Sequence, residues 1–128
     1  MDKDMRLGEL TARAGVTART VRYYEGLGLI PPGERSSGGQ HRYPEETVVR
    51  LRKINQLKGI GLSLDEIREV IELYFVDPSE VLAKQGVLAI LRRHLEDAEA
   101  KLESLGRYRE DLRSRIEFFE RWLSSHGS

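Results

Sequence analysis

Arg6-Leu7-Gly8-Glu9-Leu10, Ala14-Gly15-Val16-Thr17, Thr20-Val21-Arg22-Tyr23-Tyr24-Glu25 and Gly28-Leu29-Ile30 follow one another closely, and Arg42-Tyr43 comes soon after. Leu7, Leu10 and Ala14 fall at i, i+3 and i+7, one apolar stripe of a short helix, and Gly15 stands where a left-handed residue closes such a helix. Thr17 has the side chain of an N-cap for a second helix running through Arg19, Val21, Tyr24 and Leu27. Val21 and Tyr24, three apart, share its inner face, which leaves Arg19, Thr20, Arg22 and Tyr23 mostly outward. Two short helices about a glycine turn make a helix-turn-helix. Its second helix suits the major groove of DNA, where the first turns bring side chains to base edges and neighbouring Arg and Tyr groups hold phosphates.

Beyond Leu27 the composition changes. Gly26, Gly28, Pro31, Pro32 and Gly33 break any helix, so the chain must turn before Arg35. Ser36-Ser37-Gly38-Gly39 supplies a hairpin tip between Arg35 and Gln40-His41-Arg42-Tyr43, which predicts a small β-wing carrying basic residues. From Pro44-Glu45-Glu46 a third helix is expected to reach Lys58, with Val48, Leu51 and Ile54 on its buried stripe and Gly59 and Gly61 closing it. Ser63 and Glu66 form a capping box for a fourth helix, with Leu62 and Ile67 as its hydrophobic staple. Ile67, Val70, Ile71 and Tyr74 give that helix its inner face, and Asp77-Pro78 interrupts it.

The C-terminal segment differs in kind. Leu88, Leu91, Leu95, Ala98, Leu102, Leu105, Arg109, Leu112, Ile116, Phe119 and Leu123 step by alternating threes and fours, a heptad seam with no turn signal for more than thirty positions. A lone helix cannot bury so narrow a stripe against itself, so the pattern predicts a homodimer through this helix. Arg109 occupies an a-type position, where a polar residue generally trades stability for register. Glu110 and Asp111 lie off the seam, so a partner for Arg109 is expected from the other chain. Gly86 weakens a helix by about 1 kcal/mol relative to Ala, which places the expected helix after it. The organisation read from the sequence is therefore a DNA-binding domain over 1–76, a linker over 77–86, a dimerisation helix over 87–124 and a tail over 125–128.

Composition narrows the function classes. At 128 residues the chain fits one domain, or one small domain plus an extended element, and leaves little for a second globular sensor. It has no cysteine, which excludes disulfides, thiolate metal sites and a cysteine nucleophile. No stretch approaches a membrane span of roughly 18 apolar residues, and Met1-Asp2-Lys3-Asp4 is not a secretory start, so a cytoplasmic protein without a membrane partner is expected. Net charge is zero overall, yet residues 1–62 carry 11 Lys plus Arg against 7 Asp plus Glu, a net +4, and residues 63–128 carry 10 against 14, a net −4. The positive charge accompanies the helix-turn-helix, as phosphate neutralisation requires.

Over residues 5–73, from Arg6 through Val21-Arg22-Tyr23-Tyr24-Glu25 to Gly61-Leu62-Ser63-Leu64-Asp65-Glu66-Ile67, the order of features resembles the MerR family of bacterial transcription regulators. The resemblance implies a mainly α fold, a winged helix-turn-helix followed by a long helix that pairs antiparallel with its dimer mate. It implies DNA contacts from Thr17, Arg19, Thr20, Arg22 and Tyr23 on the recognition helix, from Gln40, His41, Arg42 and Tyr43 in the wing, and from Lys58. It further implies double-stranded promoter DNA and RNA polymerase as partners, with the dimer bending and untwisting an over-long promoter spacer. Two departures stand out. His41 replaces an arginine common in the family and carries charge only when its imidazole is protonated, and the cysteines of metal- and redox-sensing members are missing.

Other chemistries find less in these residues. His41, His94 and His126 sit in the wing, the long helix and the tail, without ligand spacing between any two, so no metal site and no cofactor is expected. No Gly-rich phosphate loop or nucleophile elbow points to catalysis. Arg13, Arg50 and Arg52 read equally well as a solvated helix face and are assigned to no site. Tyr108, Phe118, Phe119 and Trp122 cluster toward the C-terminal end, where they pack helix ends onto the partner or, alternatively, receive a small apolar effector. An architectural DNA-bending protein and a coiled-coil adaptor are the rival readings; retention of Arg19, Arg22, Tyr23 and Arg42 weighs against the adaptor.

Overall fold

The computed structural model describes residues 4–36 and 38–127. Ser37 of the expected wing tip, Met1 to Lys3 of the expected first domain and Ser128 of the tail lie outside the described residues. The chain divides into two units, Met1–Ile90 and Leu91–Ser128. The first holds β1 (Met5–Arg6), α1 (Leu7–Ala14), α2 (Ala18–Leu27), β2 (Glu34–Arg35), β3 (His41–Tyr43), α3 (Glu45–Gly59), α4 (Leu64–Val70) and α5 (Leu73–Val76). The last helix, α6 (Val81–His126), begins in the first unit and makes up nearly all of the second.

Local chemistry places the end of α1 and the starts of α2 and α4 where the sequence puts them, but α4 stops at Val70, so Tyr74 falls on the separate α5 rather than on the inner face of the fourth helix. Gly15 closes α1 with φ +70° and ψ 34°, its N–H donating to the Thr11 carbonyl at 2.9 Å. Thr17 caps α2 by accepting the Thr20 N–H at 3.0 Å. The Ser63 hydroxyl accepts from the Glu66 N–H at 3.2 Å while the Glu66 carboxylate accepts from the Ser63 N–H at 2.9 Å, a complete capping box. Leu10, Val21, Leu29, Ile30, Val48, Leu51, Ile54, Ile67 and Ile71 form the core of this unit.

The wing is a three-stranded antiparallel sheet in the order β1-β3-β2, with Met5 opposite Tyr43, Arg6 opposite Arg42 and Glu34 opposite Arg42. The strand β1 was not anticipated, because two residues are too few for an alternating pattern; Met5 is buried by it.

The start of α6 corrects the expected boundary. The helix begins at Val81, so Gly86 lies inside it and residues 81–86 are no linker. Ser79 makes this possible: its hydroxyl and N–H donate to the Asp77 carboxylate at 2.8 and 3.0 Å, and its oxygen accepts the Val81 N–H at 3.2 Å. Glu80 turns the chain with φ +61°, and its carbonyl accepts the Lys84 N–H. Ala83, Val87 and Ile90 then bury a stripe within the first unit. A Cβ on Gly86 would lie 2.8 Å from Val70 Cγ1, so close packing against α4 explains a glycine that the propensity argument alone reads as a boundary.

Arg50 is likewise no solvated residue. It is buried, donating to the Glu72 carboxylate from both Nη atoms at 2.7 and 3.0 Å and to Glu46 at 3.2 Å, with its guanidinium 4.2 Å from the centre of the Phe75 ring. The bond to Arg50 holds the Glu72 carboxyl below its ordinary range, against a smaller opposing effect of burial.

In the second unit α6 is laced by exposed pairs, Glu103–Arg107 at 2.9 Å and Asp111–Arg115 at 3.0 Å. Arg109 has a neighbour in its own chain after all, Glu110, at a long 3.8 Å. Leu95, Leu102, Leu105, Leu112, Ile116, Phe119 and Leu123 are all exposed in the single chain, as is Leu88 in the first unit. No helix among the described residues is long and apolar enough to cross a membrane.

Two outcomes test this packing. Gly86→Ala is expected to lower thermal stability despite a helix-propensity gain of about 1 kcal/mol. In a Val70→Ala background the same substitution should cost less, with a coupling of about 1 kcal/mol in a double-mutant cycle. For the Arg50 pair, a carboxyl depressed on folding contributes stability above the unfolded carboxylate value, and that contribution is lost as pH falls through the folded one. Glu72→Gln should therefore melt below the parent at neutral pH by no more than about 1 kcal/mol, since Glu72 is largely exposed. Circular-dichroism melts should show that gap closing in acid.

Candidate nucleic-acid interface

The recognition helix α2 exposes a consistent face because Val21 and Tyr24 anchor the other one in the core. Arg19, Arg22 and Tyr23 are exposed, Tyr23 by 58%, and Thr20 is half-buried. The Thr17 hydroxyl is committed to the cap and donates in turn to the Thr20 hydroxyl at 3.0 Å. That leaves the Thr20 proton free to donate outward, so of the two threonines Thr20 is the better placed to meet a base edge.

A cleft of about 330 Å³ opens between the start of α1, α2 and the wing. Arg22, Gln40 and His41 line it, together with Arg6, which the sequence reading passed over. Arg6 stands at the N-cap of α1 without making a side-chain cap, and Leu7 and Gly8 of the first helical turn line the same cleft. Two guanidinium groups, an amide, an imidazole and a helix N-terminus suit a phosphate. A basic residue directly before a helix start is the signal that could have found Arg6.

Tyr43 requires a correction. Its side chain is only 2% exposed, and its hydroxyl donates to Glu25 Oε1 at 2.6 Å. Burial first, then the Glu25 carboxylate, hold this hydroxyl well above the ordinary phenol value. The side chain thus offers only a sliver of surface to the cleft, which it lines together with Glu25, and it ties β3 to α2. Gly33 passes so near that an added Cβ would sit 2.6 Å from Tyr43 Cζ. Glu25, which drew no attention in the sequence, is the acceptor of this tether.

Arg42 lies half-buried on the central strand β3, between Arg6 and Glu34. Its Nε is buried without a hydrogen-bond partner among the described residues. Lys58 is exposed at the last turn of α3 and donates to the Tyr24 hydroxyl at 3.4 Å, which ties it to the recognition helix. The structure thus brings Arg22, Gln40 and His41 together, sets Arg19, Thr20 and Tyr23 along the outer face of α2, and withdraws Tyr43 into the core.

Residues 5–73 match the family model described as MerR HTH family regulatory protein, and residues 48–115 match one described as MerR, DNA binding. The chain belongs to the MerR family of DNA-binding transcription regulators. It is 39% identical over 103 residues to the mercuric resistance operon regulatory protein of Bacillus cereus, covering 80% of this chain and 75% of that protein. It is 36% identical over 108 residues to nodulation protein NolA of Bradyrhizobium elkanii, covering 84% of this chain but spanning only 45% of NolA. Among solved structures, the transcription regulator PbrR691 from Ralstonia metallidurans CH34, crystallised with lead(II), superposes with a TM-score of 0.64 at 33% identity, over 85% of each chain. The mainly α winged helix-turn-helix with a long C-terminal helix is thus the family's fold.

Proposed function

We propose that this MerR-family chain acts as a homodimer on a pseudo-palindromic promoter site in the bacterial cytoplasm, each winged helix-turn-helix reading one half-site. The observation that carries the reading is the convergence of Arg6, Arg22, Gln40 and His41 on one cleft beside the exposed face of α2. In this reading Arg6, Arg22, Tyr23, Gln40, His41, Arg42 and Lys58 hold phosphates, while Arg19 and Thr20 address bases and Thr17 serves through its cap. Bending and untwisting of the promoter spacer for RNA polymerase follows the family pattern, and deformation makes sequence matter at positions the protein does not touch.

The dimer is held by the exposed α6 seam, paired antiparallel, because a row of leucines on an isolated helix is stable only when covered. The 128 residues contain no cysteine, so they offer a metal no thiolate ligand.

Arg22→Ala is expected to weaken binding on every DNA sequence and to reduce the slope of log affinity against log salt by about 1. Arg19→Ala or Thr20→Ala should instead change which bases are preferred, read by selection from a randomised duplex pool. Unchanged affinity of Arg22→Ala at moderate salt would sink the phosphate assignment. Leu102→Asp places unpaired charge in the seam and should yield a monomer in sedimentation; a variant that stays dimeric would contradict pairing through α6.

A further inference from the structure

Two positions in the α6 seam break its run of large apolar side chains: Ala98 is the smallest and Arg109 the longest and only charged one. In an antiparallel pair an a-type residue faces a d-type residue. Here Leu88, Leu95, Leu102, Arg109, Ile116 and Leu123 are a-type, and Leu91, Ala98, Leu105, Leu112 and Phe119 are d-type. Resting on the homodimer reading, we propose that the two copies pair in the register that sets Arg109 against Ala98 of the partner, with Leu102 against Leu105.

Volume selects this register. It places Leu95 opposite Leu112, Leu91 opposite Ile116 and Leu88 opposite Phe119, layers of two large apolar groups, while Leu123 at the end meets the aliphatic stem of Lys84. The aliphatic stem of Arg109 gains room over the alanine to carry its charge out to solvent, beside the exposed Glu99 that follows Ala98. Slipped by one heptad in one direction, Ala98 meets Leu102 and Arg109 meets Leu91. In the other direction Ala98 meets Ile116 and Arg109 meets Leu105. Either slip drives the guanidinium stem against a branched side chain and underfills the alanine layer. One charged pair opposes the choice, since Arg92 comes near Arg113 of the partner; Arg113 is already paired with Glu110 at 3.3 Å.

The shape of the free helix fits. A notch of about 560 Å³ is lined by Leu102, Leu105, Gly106, Tyr108, Arg109 and Leu112. These six are the walls of two adjoining holes, deepened where Gly106 lacks a side chain. In the proposed register the holes receive the partner's Leu102 and the partner's Ala98 as knobs. A slip of one heptad would slide the helices past one another by about 10 Å.

The absence of native cysteine makes the test clean. The full chain carrying both Ala98→Cys and Arg109→Cys should form a covalent dimer under mild oxidation on a non-reducing gel. Either single variant should stay uncross-linked, because like positions would stand about 16 Å apart along the helices, beyond the roughly 7 Å limit for a disulfide. The pair Leu95→Cys with Leu112→Cys reports the same register should the first variant fail to fold by circular dichroism. Cross-linking instead by Ala98→Cys with Leu102→Cys, or by Arg109→Cys with Leu105→Cys, would show one of the two slipped registers and overturn the proposal. Both singles cross-linking would show a parallel pair, which overturns it too. Folded double variants that dimerise in sedimentation without cross-linking overturn the register only, whereas a monomeric parent chain overturns the homodimer reading itself.

Discussion

Tyr43 donating to Glu25 at 2.6 Å is the bond through which the sheet and the recognition helix become one rigid surface. Without it, β3 would be joined to α2 only through the loop at Pro31 and Pro32 and through general packing. With it, Gln40 and His41 on one element and Arg22 on another keep a fixed separation across one cleft. The bond is part-buried, and a hydrogen bond to a charged acceptor is worth more there than in open water. Glu25 lines the same cleft as Arg22, with one of its oxygens occupied by Tyr43.

The long helix does two jobs with two stripes. Its first turns bury Ala83, Val87 and Ile90 within the first unit, and the seam that starts at Leu88 lies on a different face. Gly86 belongs to the first stripe, where Val70 leaves no room for a methyl group. Arg50 complements this from α3, clasping Glu72 just before α5 and stacking on Phe75. Both devices fix the segment between α4 and α6 within the first unit.

Much of the fold was legible because it rests on local rules. Gly15, Thr17, Ser63 and Glu66 announce helix ends through backbone chemistry that needs no tertiary partner, and they stand where that chemistry puts them. Features that depend on distant residues were hidden. Arg50 looks like any surface arginine until Glu72 and Phe75 are brought beside it. Gly86 looks like a helix boundary until Val70 is seen to crowd it, and Tyr43 looks like a wing contact until Glu25 claims its hydroxyl. The exposure of Arg19, Arg22 and Tyr23 on α2 was readable from helical phase alone, whereas Arg6 needed the unexpected strand β1 to place it beside the wing.

The contact between Gly33 and Tyr43 reaches into the genetics of the protein. Any side chain at 33 collides with the ring at 43, a buried aromatic that cannot rotate away cheaply. The two positions therefore form one steric unit although they lie on opposite sides of the wing hairpin. A damaging substitution at Gly33 would be rescued by a smaller residue at Tyr43, at the expense of the bond to Glu25. In a collection of revertants, second-site suppressors of lesions in the loop should gather in β3, where they relieve the collision without restoring the bond to Glu25.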